Sequence, residues 1–99
     1  MAAFGIRRGA EPDRRGAPRE EVYHRTRGTL GTGETLPVQI VNVSATGFMA
    51  RTEAEIAPGT AIEVRLPVVG ARPAEVRWVL AGRIGCQFAR PIDLAEYLQ

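Results

Sequence analysis

Apolar and polar residues alternate with period two over most of the chain. Ile62, Val64, Leu66 and Val68 alternate with Glu63, Arg65 and Pro67. Ala74, Val76, Trp78 and Leu80 alternate with Glu75, Arg77 and Val79, and Ile84, Cys86 and Phe88 with Arg83, Gly85 and Gln87. Period two marks a strand with one buried face, so each run predicts a strand and its apolar set predicts core, Trp78 included. Upstream, Glu21 to Leu30 favours extension through Val22, Tyr23, Thr26 and Thr29, and Phe48 to Thr52 is a short strand directly after Gly47. Leu36 to Ser44 is apolar on both parities, Val38 and Ile40 on one, Val41 and Val43 on the other. Such a strand is expected to be covered on both sides. A bulge near Asn42 would swap the parities, so the pattern leaves the inward one open.

Gly31-Thr32-Gly33, Ala57-Pro58-Gly59-Thr60, Gly70 and Ala81-Gly82 supply the turns. Six strands about ten residues apart predict an all-β fold, a small antiparallel sandwich or barrel. Pro91 ends the last strand. Asp93 caps a final helical turn in which Leu94, Tyr97 and Leu98 stand at helical spacing to dock on the barrel. Gly5, Gly9, Pro12, Gly16 and Pro18 interrupt residues 1–18, where no apolar period survives, and this segment reads as a mobile leader.

The 99 residues make one domain with a modest core. No apolar run approaches the roughly 20 residues of a membrane helix, and Arg7 and Arg8 follow Phe4 and Ile6 too closely for a secretory signal. The single cysteine, Cys86, excludes an internal disulfide; on its apolar parity it reads as a small buried hydrophobe, and the expected compartment is cytoplasmic. Charge is uneven. Residues 1–27 hold seven arginines against four acids, whereas residues 28–99 hold six against seven. A short basic leader suits an anion but is too weakly charged for a general nucleic-acid binder, so no DNA partner is expected. Arg51, Arg65, Arg77 and Arg83 fall on outward parities, as solvated charges or an extension of the basic surface.

Catalysis finds no support. His24 is the only histidine, Glu53 and Glu55 lack a companion base, and neither metal-ligand spacing nor a phosphate-cradling loop occurs. The chain is therefore expected to be no enzyme and to need no cofactor.

Two stretches carry the binding chemistry. Arg15 and Arg19 stand four apart in a segment broken by Gly16 and Pro18, so they are two cationic arms and not neighbours on a helix face. At the end of the second strand, Asn42 and Ser44 are two apart and are expected to leave by one face, an amide beside a hydroxyl. Gly47 follows, expected to supply the φ freedom of a tight exit. Arginine forks onto phosphate oxygens and onto the O6/N7 edge of guanine, and stacks on its face.

Arg15-x-x-x-Arg19 followed after 22 residues by Asn42-x-Ser44-x-x-Gly47 resembles the two-part signature of PilZ domains, bacterial receptors for the second messenger cyclic di-GMP. Together, in this order and before a β-rich body, the halves are far more specific than either alone. The resemblance runs from about Arg14 to about Asp93. It implies a six-stranded split β-barrel with a short C-terminal helix. The chain then divides into a flexible leader, 1–13, and one domain, 14–99, whose first residues, 14–20, are the ligand-binding arm. It also implies that Arg15 and Arg19 contact phosphate and guanine, that Asn42 and Ser44 hydrogen-bond guanine and nearby phosphate, and that Gly47 leaves space; Arg14 assists. On this resemblance the ligand orders the arm and a separate, unidentified partner protein reads the result. The alternative is a PilZ-like protein–protein adaptor that binds no nucleotide.

Overall fold

The computed structural model describes residues 19–98; the expected leader, Arg14 and Arg15 lie outside the described residues. Six strands close an antiparallel barrel: β1 (Glu20–Leu30), β2 (Thr35–Val43), β3 (Gly47–Arg51), β4 (Ala61–Leu66), β5 (Gly70–Leu80) and β6 (Arg83–Phe88), followed by α1 (Leu94–Tyr97). Round the barrel the order is β1-β2-β3-β6-β5-β4. Closure between β1 and β4 is short, with only Gly28, Thr29 and Leu30 paired to Val64, Glu63 and Ile62. Beyond that ladder the Thr26 hydroxyl donates to the Arg65 carbonyl at 2.7 Å and holds the seam.

The inward sets of β4 and β6 are those the alternation predicts: Ile62, Val64 and Leu66, then Ile84, Cys86 and Phe88. They meet Val38, Ile40, Val43, Phe48 and Val76 in one cluster, with the Phe48 and Phe88 rings 5.4 Å apart and tilted at 45°. A tilted pair at that distance lets ring edge meet ring face.

β2 is not covered on both sides. Its register against β3 shifts between Ile40 and Asn42, so Val41 is an extra residue. Leu36, Val38 and Ile40 face in before the bulge and Val43 after it. The doubled apolar parity is one inward face displaced by one residue. β5 behaves likewise. Its register against β6 shifts between Val76 and Trp78, which makes Arg77 the extra residue. Val76 is fully buried, but Leu80 is 71% exposed and Trp78 only half-buried, outside the core where the alternation had put both.

The β4–β5 turn also departs from the alternation. Val68 is not a core position but an exposed turn residue at φ 68°, beside Gly70 at φ 84°, and β5 begins at Gly70 instead of Ala74. Asp93 caps α1 by accepting from the Glu96 N–H at 3.1 Å. Tyr97 is buried by the docking, whereas Leu98, expected to dock with it, stays 44% exposed. No helix among the described residues is long and apolar enough to cross a membrane.

Candidate ligand site

The β2 bulge sets the site. By taking up Val41, it leaves Asn42 on the outer face, opposite Glu21 of β1 and Met49 of β3. The Asn42 amide is fixed at both ends. Its Oδ1 accepts from Arg19 Nη1 at 2.7 Å, and its Nδ2 points at Met49 Sδ, 3.9 Å away. The two halves of the signature, 23 positions apart, are thus joined by a hydrogen bond to a charged donor, the stronger kind. Arg19 sits immediately before β1, so the first strand delivers it to this rim. Partial burial lowers its pKa from the ordinary arginine value; the guanidinium remains charged all the same.

Ser44 is not where the two-residue spacing predicts it. β2 ends at Val43, and Ser44 is 2% exposed. Its hydroxyl accepts from the N–H groups of Thr46 and Gly47, each at 3.2 Å, while its own N–H donates to the Gly47 carbonyl at 2.8 Å. A serine at the first position of a tight turn bonds the backbone two and three residues on. The hydroxyl is committed to the turn and does not share an open face with Asn42. The turn is pinned from outside as well: the Thr46 and Ala45 carbonyls accept from Phe88 and Ile92, both at 2.8 Å.

Gly47 has no positive φ. Its requirement is space: a Cβ there would overlap the Cys86 carbonyl oxygen, part of the β6 backbone with which Gly47 is in register through Gln87. The close approach of β3 to β6 replaces the conformational freedom expected of this glycine.

One rung crosses five strands on the outer face. Glu21 pairs with Asn42, Asn42 with Met49, Met49 with Gly85, and Gly85 with Trp78. The Trp78 indole lies over Gly85, occupying the space of any side chain there. Met49 is half-buried on this face, while Phe48 faces the core. The rung therefore offers a carboxylate, an amide, a thioether and an indole in sequence, with the Arg19 guanidinium bonded to the amide. Alternation predicts Trp78 in the core, yet the sequence also carries a signal for its outward side. Ala81 at φ 51° and Gly82 at φ 80° make a two-residue hairpin turn, which fixes Leu80 on Arg83, Val79 on Ile84 and Trp78 on Gly85.

Among the described residues no cluster of three His, Cys, Asp or Glu can hold a metal ion. An open groove of about 550 Å³ lies along Thr52 to Ile56 with Val79, Gly82 and Ile84, and includes none of the signature residues. Arg19, Asn42, Ser44 and Gly47 are brought to one barrel edge, Ser44 and Gly47 as its framework; Arg14 and Arg15 are outside the described residues. A comparison with known families matches residues 13–99 to the PilZ domain. No curated protein matches the chain.

Proposed function

The chain belongs to the PilZ domain family, a family of cyclic di-GMP receptors, and from that membership we propose that it binds cyclic di-GMP without chemical change and passes the signal to a separate protein. The observation that carries this reading is the 2.7 Å bond from Arg19 Nη1 to Asn42 Oδ1. A guanidinium has five donors in one plane. Engaging Asn42 sets the orientation of that plane at the rim, beside the outer-face rung that ends in Trp78. Cyclic di-GMP brings two phosphodiester charges and two flat guanines, and arginine meets both.

In the proposed complex Arg19 and Asn42 hold guanine and phosphate, while Arg15 and Arg14 approach from the segment before Arg19. Ser44 and Gly47 contribute through the shape of the turn. The ligand orders the arm, residues 14–20, across the barrel and creates a surface that the partner reads. The domain works as a binding module in the cytoplasm.

Calorimetry with cyclic di-GMP tests the proposal on the native chain and on Arg15→Ala, Arg19→Ala and Asn42→Ala. Binding by the native chain in the micromolar range, weakened at least tenfold by each substitution and by added salt, is the expected result. No heat from the native chain at tens of micromolar would overturn it. The adaptor reading would then take its place, with partner capture indifferent to both Arg→Ala changes.

A further inference from the structure

Two rungs along from the Asn42 row, the outer face turns strongly basic. Arg25 pairs with Gln39, Gln39 with Arg51, and Arg51 with Arg83, whose other neighbour is Leu80. The adjoining rung of Ile40, Ala50 and Ile84 is buried, so this one points to solvent. Strands lie about 4.8 Å apart, and the three arginines therefore spread over roughly 14 Å.

Three observations set this surface apart from ordinary solvated charge. Arg51 and Arg83 are directly opposite each other across an antiparallel ladder, an arrangement that works against the fold unless an anion joins them. Among the described residues none of the three arginines has an ion-pair partner, although Glu53 and Glu55 follow Arg51 closely in the chain. Finally, acids are scarce on this side of the barrel. β2, β3 and β6 contain none and β1 has Glu20 and Glu21 only at its start, whereas β4 and β5 alternate Glu63 with Arg65 and Glu75 with Arg77. The Arg77–Glu75 pair there closes at 3.6 Å.

Leu80, 71% exposed, ends the basic row beside Arg83; near its other end Tyr23, 78% exposed, stands two residues along β1 from Arg25, on the side toward Glu21 and the Asn42 rung. We propose that Arg25, Arg51 and Arg83, between Tyr23 and Leu80, form a docking face for an acidic segment of a partner protein with apolar residues flanking its carboxylates. Arginine forks onto carboxylates, and arginine and tyrosine are the residue types that most often anchor protein interfaces. A face for single-stranded nucleic acid interleaves aromatics with its cations; here the basic row contains none, and Tyr23 and Trp78 stand two residues off it along β1 and β5. None of these residues belongs to the two-part signature, so the docking face stands or falls independently of nucleotide binding.

The test is fluorescence anisotropy on the full chain with three labelled probes. These are a synthetic peptide of Asp and Glu flanked by Leu and Phe, the same peptide with Lys for each acid, and an oligothymidine of equal charge. The acidic peptide is expected to bind and the Lys peptide not. Affinity falls at least tenfold in the Arg51→Ala/Arg83→Ala double variant and severalfold in Leu80→Ser, and is unchanged in Arg65→Ala on the far side of the barrel. In the native chain the amide signals of Gln39, Arg51 and Arg83 shift on titration. Removing the like-charge contact should leave the melting temperature equal or higher, and Arg83→Thr, which keeps a strand-forming side chain, repeats the test singly. Failure of the acidic peptide to bind, binding indifferent to the double variant and to Arg83→Thr, or tighter binding of the oligothymidine would each overturn the proposal.

Discussion

The indole of Trp78 fills the space over Gly85 that a side chain at residue 85 would need. The two are cross-strand partners just beyond the Arg77 bulge. The bulge turns the only tryptophan of the chain outward, onto the same rung as Asn42.

Gly85→Ala is expected to lift the indole off the sheet. Inserting a methyl group into a filled site costs roughly 1–3 kcal/mol, about 4–8 °C of melting temperature per kcal/mol for a domain of this size. Tryptophan emission should move to the red in the folded variant. Unchanged emission and an unchanged melt would mean that the contact contributes nothing. In the native chain, cyclic di-GMP should quench the same emission as it settles on the outer face.

Gly47→Ala should be worse. Its Cβ would meet a backbone carbonyl, that of Cys86, which cannot rotate aside as an indole can. The β3–β6 ladder must open locally, and the loss should reach at least about 3 kcal/mol. Gly31 is the control: a Cβ there meets nothing within 4 Å, so Gly31→Ala should stay within about 0.5 kcal/mol of the native chain. Urea midpoints for the pair measure the contrast.

The same local geometry decides what the sequence disclosed. β4 and β6 were legible because neither is interrupted by an extra residue and their apolar side chains keep to alternate positions, and the Asp93 cap because its side chain reaches only its own helix. Trp78, Leu80 and the parity of β2 were not. Each lies at or beyond a single extra residue, Arg77 or Val41, and an extra residue leaves no mark in composition. Only a fixed turn such as Ala81-Gly82, counted backwards, exposes the slip. At the site, Arg19 and Asn42 were legible as a pair through the signature. Ser44 was misplaced because spacing alone does not say that a strand has already ended.

Burial pushes the Cys86 thiol up to about 12, whereas an unfolded thiol ionises at about 8.5. Folding therefore retains a proton that the unfolded chain releases. The stabilisation is complete below about pH 8.5 and is lost as pH rises toward 12, with a slope of up to about 1.4 kcal/mol per pH unit. Tyr97, its pKa also raised by burial, acts in the same direction at higher pH. Urea midpoints at pH 8, 9.5 and 11 should fall in the native chain and fall less steeply in Cys86→Ala. Equal slopes would show that the thiol is not protected.

Ser44 and Asn42 should separate stability from binding. The Ser44 hydroxyl satisfies two N–H groups, those of Thr46 and Gly47, in a turn where Ser44 and Gly47 are buried and Thr46 is exposed. Ser44→Ala leaves both without that partner and should cost about 1–3 kcal/mol. Below its lowered melting temperature, cyclic di-GMP should still bind, because the Arg19–Asn42 bond does not depend on the hydroxyl. Asn42→Ala removes an amide from a half-exposed rim, and its effect on stability should stay within about 1 kcal/mol. It takes away the acceptor that orients Arg19, and calorimetric affinity should fall at least tenfold with it. Melting and calorimetry on both variants therefore divide the Asn42-x-Ser44 pair into a side chain that holds the ligand and one that holds the turn. An Ser44→Ala variant with native melting and no binding would reverse that division, because the hydroxyl would then have to leave Thr46 and Gly47 to meet the nucleotide.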